Sequence, residues 1–247
     1  MKHTNTIYLD IETIPSQEKW VRKDIEDNIE PPKALKKQSS IDEWHKTKKK
    51  YAIEEAMQKL GFMGETSHIV SLGLAINNEP ATVYQLESID KEKSNLRKFF
   101  EHIGKIEYPT FVGHNIVSFD LRIIRQRSVV LGVQPPANIL SAFAAKPWDD
   151  VAVYDTMIQW NADKGNMISQ DKLAKCLGYE GKKGMSGKDV YPAWQKGEFD
   201  KIGEYCMDDV ETVRKIYKAM TFQGNMVRIT GGRHDGFIGN SRQSAKT

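Results

Sequence analysis

Cysteine is almost absent: Cys176 and Cys206 are the only two in 247 residues. That is too few for a disulfide framework or a cysteine-built zinc site, and both are expected to be reduced thiols in a cytoplasmic protein. Long apolar runs are missing too. Nothing approaches the roughly eighteen consecutive apolar residues of a membrane span. The opening Met-Lys-His-Thr-Asn-Thr-Ile-Tyr-Leu-Asp also lacks the apolar core and cleavage site of a secretory leader, so no membrane partner is expected. Charge of one sign is not in excess: 36 Lys and Arg against 33 Asp and Glu give +3, which by itself points to no polyanion. Two enzyme signatures are missing as well. A phosphate-binding G-x-x-x-x-G-K-S/T would need Gly at Lys182 and Ser or Thr at Asp189, and no G-x-S-x-G elbow of a serine hydrolase occurs.

What is present is a chain with 39% hydrophobic and 28% charged residues, long enough for one large domain or two small ones. Residues 6–14, Thr-Ile-Tyr-Leu-Asp-Ile-Glu-Thr-Ile, read as a strand stopped by Pro15. Residues 16–64 are rich in Lys and Glu, with Pro31-Pro32 dividing helical pieces, and read as an insertion packed on a core. Residues 68–87 suggest two strands turning at Asn77-Asn78. Leu96, Phe99, Phe100 and Ile103 have helical spacing. A buried strand at 110–113, a helix over 119–130, a strand at 151–154, a short helix at 172–177, a glycine-rich basic loop over 178–188 and a helix over 199–220 complete the pattern. The order implies an α/β domain with a mixed sheet over residues 1–222. The tail 223–247, rich in glycine and basic, is expected to lack fixed structure unless bound.

Three groups of residues carry chemistry. Asp10 and Glu12, at i and i+2 of a strand, project to one side. Such carboxylates repel, and either solvent at an exposed strand face or bound divalent cations relieves them. Asp120 opens a helix after Phe-Val-Gly-His-Asn-Ile-Val-Ser-Phe, where capping alone also accounts for an acid. Tyr205 and Asp209 lie one helical turn apart, with Asp208 turned about 100° away. Taken together, four acids and a tyrosine on core elements make an all-oxygen site. Hard oxygen donors select Mg²⁺ or Mn²⁺, and several carboxylates sharing two ions describe a phosphodiester-cleaving centre.

Asp-Ile-Glu at 10–12, Asn-Ile-Val-Ser-Phe-Asp at 115–120 and Tyr-Cys-Met-Asp-Asp at 205–209 resemble, in order and spacing, the DEDD superfamily of 3′–5′ exonucleases in its tyrosine-bearing (DEDDy) branch. The wording is most similar to the proofreading-type exonuclease domain of B-family DNA polymerases and its stand-alone relatives. The resemblance covers about residues 6–15 and 68–220, not the insertion or the tail. It implies a ribonuclease H-like fold, a mixed β-sheet flanked by helices, with the helical insertion after the first strand. It also implies roles. Asp10 would bridge two ions, Glu12 and Asp209 would complete the one that binds the attacking water, and Asp120 would hold the other directly or through water. Tyr205 would orient that water and assist its deprotonation, with most of the activation coming from the metal.

Candidates for substrate contact are Ile11 and Thr13 beside the carboxylates, Asn115 and Phe119 in the second motif, Asp155, and Lys182 and Lys183 on the basic loop. Phe119 could stack on the terminal base, or be a core residue beside the metal. His114 reads as a turn residue. The expected partners are single-stranded nucleic-acid 3′ ends, DNA before RNA, with the 16–64 insertion available to clamp substrate, to shield the sheet, or to bind a replication or repair protein. Six lysines lie between positions 36 and 50, either a solvated face or, if the insertion clamps, the cations that hold the strand. A rival reading is a non-catalytic nucleic-acid tether, which would tolerate loss of an acid; none of the four is missing.

Overall fold

Residues 5–146, 151–162, 167–181 and 184–223 are described by the computed structural model. The expected first strand is β1 (Asn5–Pro15), one residue longer at each end. It leads into three helices, α1 (Lys19–Asn28), α2 (Gln38–Thr47) and α3 (Lys49–Lys59), the last running into a 3₁₀ turn, Leu60–Phe62. The strand pair β2 (Ser67–Ile76) and β3 (Thr82–Gln85) follows, with Asn77 in the left-handed region at φ 52° between them. Then come α4 (Glu92–Ile103), β4 (Pro109–Gly113), α5 (Asp120–Leu131), α6 (Ala137–Ala144), β5 (Val153–Asp155), α7 (Thr156–Asn161), α8 (Gln170–Cys176), α9 (Gly187–Gln195) and α10 (Phe199–Met220).

The sheet order is β3-β2-β1-β4-β5, so β1 is central. It pairs antiparallel with β2 and parallel with β4; β2–β3 is antiparallel and β4–β5 parallel. This is the mixed sheet flanked by helices that the resemblance implies. Alternation along β1 decides what each face meets. Ile7, Leu9 and Ile11 enter a core with Phe99 and Ile103 of α4 and Ile123 and Ile124 of α5. Tyr8 packs on Val210 and Val213 of α10, and Ile14 packs on Val190 of α9 and Ile202 of α10. The inserted helices have a small core of their own, where Val21 and Ile25 of α1 meet Ile53 and Met57 of α3. No helix among the described residues is long and apolar enough to cross a membrane.

Two expectations change. The basic loop placed over 178–188 is too long, because α9 begins at Gly187 under a reciprocal Ser186–Asp189 capping box. Lys188 therefore rides a helix, and Pro192 sits inside that helix. The helix α6 had no sequence expectation at all. Lys182, Lys183 and the tail from residue 224 onward lie outside the described residues.

One buried polar cluster stands away from the predicted chemistry. Arg127 of α5 donates to both carboxylate oxygens of Glu92, at 2.8 and 2.6 Å. His68 Nδ1 donates to Glu92 Oε2 at 2.8 Å, and the Ile69 N–H to Oε1 at 3.0 Å. Burial pushes the Glu92 carboxyl up, but these donors outweigh it and hold the group below the usual glutamate value of 4.5. Glu92→Gln is expected to cost about 3–5 kcal/mol, because it leaves the Arg127 charge buried without its counterion. That is a fall of roughly 10 °C in melting temperature for a chain of this size. A depressed native pKa gives stability that is full above the unfolded value and lost as pH falls through the native one. The gap between wild-type and variant melting temperatures should therefore begin to narrow below about pH 4.5 and close only below the depressed native value. A gap that stays constant as the pH falls through that range would assign the loss to packing.

Candidate active site

The central strand delivers the first two acids. Asp10 and Glu12 share the face of Tyr8 and Ile14, the one covered by α10. They stand opposite Gly73 and Ser71 of β2. Just past Glu12 the ladder slips, Glu12 facing Ser71 and Thr13 facing Ile69, so Val70 is a bulged residue on β2. Ile69 joins the α4/α5 core while Val70 joins the α9/α10 side, so the bulge turns this end of β2 without disturbing β1.

Helix α10 brings the last two groups. Tyr205 and Asp209 are buried on its sheet-facing side one turn apart, whereas Asp208 is exposed, as the 100° geometry requires. Oxygens of Asp10, Glu12 and Asp209 lie within 4.8 Å of one another, from positions 199 residues apart at the extremes of the set. The Tyr205 hydroxyl hydrogen-bonds the Asp209 carboxylate. Burial, with the charges of Glu12, Asp209 and Asp10, pushes that phenol well above its usual value of 10.

Asp120 takes a different position. It is 2% exposed at the first turn of α5, and its Oδ1 accepts the Ile11 N–H at 2.9 Å. Burial above all, reinforced by Asp155 and Asp209, raises its pKa to about 8. It therefore stands behind the other three acids, pinned to the backbone between Asp10 and Glu12. The acids crowd negative charge into a partly dry site, a charge that a divalent cation relieves. The donor set is all oxygen and fits such an ion.

The remaining candidates divide. Asn115, in the left-handed region at φ 62°, lines the cleft with Phe119 and Thr13. The Thr13 hydroxyl donates to the Gly61 carbonyl at 2.6 Å. The Ile11 side chain belongs to the opposite core, and its link to the site is the N–H on Asp120. Asp155 is a brace. Its carboxylate accepts the N–H groups of Asn115 at 3.0 Å and Val117 at 3.2 Å while capping α7 through Met157 and Ile158. Four backbone donors hold it inside the fold, and the turn carrying Asn115 is fixed as a result.

Gln170 was missed in the sequence, and His114 was read there only as a turn residue. Gln170, buried at the start of α8, donates its amide to both Oδ1 and the backbone carbonyl of Asp209, each at 3.1 Å. The ring of His114 bridges Thr156 Oγ1 and the Ile168 carbonyl, each at 2.9 Å, tying the end of β4 to the stretch before α8. Nothing in the spacing of either residue marks it. Cys206 is also part of the floor: its Sγ lies 3.5 Å from the Asp10 carbonyl and 3.8 Å from Oδ2.

Asp10, Glu12, His114, Gln170, Tyr205 and Asp209 line a cleft of about 920 Å³ together with residues of α3 and its 3₁₀ turn, of α9, and of the stretch Met167 to Gln170. Residues 62–230 match a family described as a predicted 3′–5′ exonuclease related to the exonuclease domain of PolB. The chain belongs to this family. Among solved structures it is similar to a family B DNA polymerase from the hyperthermophilic archaeon Pyrobaculum calidifontis, with a TM-score of 0.56 and 15% identity. The similarity covers 88% of this chain and 24% of the polymerase, so the chain spans about a quarter of that protein's length. At this identity the likeness concerns the fold, and the sheet with its flanking helices is accordingly ribonuclease H-like. No curated protein matches the chain.

Proposed function

We propose that this exonuclease-family chain hydrolyses the terminal phosphodiester at the 3′ end of single-stranded DNA, with two Mg²⁺ or Mn²⁺ ions, releasing nucleoside 5′-monophosphates in DNA repair or replication. The observation that carries the reading is the convergence of Asp10, Glu12 and Asp209 within 4.8 Å at the floor of an open cleft. Asp10, Glu12 and Asp209 hold the ions, and Asp120 completes the second site directly or through water. Bound divalent ions neutralise the scissile phosphate and lower the pKa of the attacking water. Gln170 fixes the Asp209 carboxylate through its amide. A phenol is a poor base at neutral pH, so the chief part of Tyr205 is to orient the water, whose activation comes mainly from the ions. The residues thus position the groups and hold charge, which suits an in-line displacement.

The relation to a polymerase exonuclease domain favours DNA. Among the described residues the lysines lining the cleft are Lys59 and Lys188, a pair suited to a few phosphates of a strand end. A time course on 3′- and 5′-labelled single-stranded, duplex and mismatched oligomers, with Mg²⁺, Mn²⁺ or EDTA, tests the reading. Stepwise shortening from the 3′ end of single strands, faster on DNA than on RNA of the same sequence and abolished by EDTA, is expected. Binding without nucleotide release in Mn²⁺ would replace the enzyme with a tether, and faster shortening of RNA would make it an exoribonuclease.

A further inference from the structure

The cleft has a wall that the catalytic motifs do not supply. Gln58 and Lys59 of α3 and Gly61 and Phe62 of the following turn come from the insertion, yet they face the same space as Asp10, Glu12 and Asp209. The Phe62 side chain is 57% exposed, but its backbone is held on two sides. Thr13 of β1 bonds the Gly61 carbonyl, and Arg122 of α5 donates to the Phe62 carbonyl at 2.9 Å. The same guanidinium donates to the Ser118 carbonyl at 2.7 Å, so one side chain fixes both the turn bearing Phe62 and the turn bearing Phe119. The two rings stand 6.2 Å apart at 54°, both lining the cleft. An apolar ring left open to water on an immobilised turn is a surface built to meet a flat partner. The lysines between positions 46 and 50, at the α2–α3 junction, do not line the cleft; Lys59 does, beside Glu55, to which its ammonium donates at 2.8 Å.

We infer that the insertion is a substrate clamp acting through Phe62, which stacks on a base of the unpaired strand beside Phe119, with Lys59 taking a neighbouring phosphate. This rests on the exonuclease reading above and adds to it the element that grips the strand. The occupant is an unpaired nucleic-acid end: a ring face accepts any base, so the grip is independent of sequence, whereas a paired base has its faces covered by its neighbours.

The test is fluorescence anisotropy of the full chain with 3′-terminal single-stranded DNA in Ca²⁺, using intact oligomers and ones carrying abasic sugars at the last two positions. Phe62→Ala should weaken binding of the intact oligomer by roughly 5- to 100-fold, the effect of one lost base stack. Phe62→Tyr, which keeps the ring face, should bind within about 2-fold of wild type. Abasic ends should weaken wild type by a similar factor but leave Phe62→Ala little changed, a non-additivity that a purely structural role does not produce. Additive losses, or Phe62→Ala binding like wild type while charge reversal of Lys46, Lys48, Lys49 and Lys50 weakens binding, would overturn the clamp. The nuclease reading is scored apart, by 3′ shortening of the same oligomers by wild type in Mg²⁺. If that is absent, the function fails and the clamp with it; if it is present and Phe62 is neutral, only the clamp fails.

Discussion

Asp209→Asn should lower nucleotide release from single-stranded 3′ ends by about 10³-fold or more, equivalent to about 4 kcal/mol of transition-state stabilisation. The substitution keeps the shape of the side chain and an oxygen for the Gln170 amide, which donates at 3.1 Å. What it removes is one of the three charges gathered within 4.8 Å. Without divalent ions that charge is a burden on the fold, since Asp209 adds to the rise in pKa of both Asp120 and Tyr205. In EDTA the variant should therefore melt at or above the wild-type temperature. Wild type should gain melting temperature as Mn²⁺ is titrated, because a ligand that binds only the native state stabilises it by mass action, and the variant should gain much less. Activity near wild type at saturating Mn²⁺ would remove Asp209 from the chemistry. A variant that melts far below wild type in EDTA would show Asp209 to be structural instead.

How much of this was legible beforehand follows from what local sequence encodes. The strand pattern of β1 put Asp10 and Glu12 on one face, and helical spacing put Tyr205 over Asp209, because both relations depend on periodicity alone. That the two pairs meet depends on β1 being the central strand under α10, which no local pattern states; the family resemblance supplied it. Gln170 was invisible because its partner Asp209 lies 39 residues away and a single amide before a short helix has no period. Helix α9 had a readable start in Ser186-x-x-Asp189, but the surrounding glycines argued for a loop and hid it. In the insertion the lysine run between 36 and 50 drew attention as charge, whereas the insertion residues that line the cleft are Glu55, Gln58, Lys59, Gly61 and Phe62, at the end of α3 and in the turn after it.

The second large effect is expected from a residue with no side chain. Gly73 pairs with Asp10 across the β1–β2 ladder. A Cβ at position 73 would lie 2.8 Å from Cys206 Sγ, 3.0 Å from Val210 Cγ2 and 3.3 Å from the Cys206 carbonyl oxygen. The missing side chain is therefore the notch into which α10 settles, and the thiol that fills it rests against Asp10. Burial first, then Asp10, Glu12 and Asp209, push the Cys206 thiol well above its usual pKa, so it stays an S–H donor and adds no charge to the floor. Because α10 also carries Tyr205 and Asp209, this contact sets how far those groups stand from the carboxylates of β1. Gly73→Ala must push the helix outward by several tenths of an ångström, since one of the obstructing atoms is backbone. A misplacement approaching 1 Å in a positioned site costs about 10²-fold in rate. The expected result is a 10- to 100-fold loss of activity together with a higher Mn²⁺ concentration for half-maximal rate. Cys206→Ala added to Gly73→Ala removes the nearest clash and should recover part of both losses. Full activity in Gly73→Ala, or a double variant worse than either single one, would show that the spacing of the carboxylates is set elsewhere in the fold.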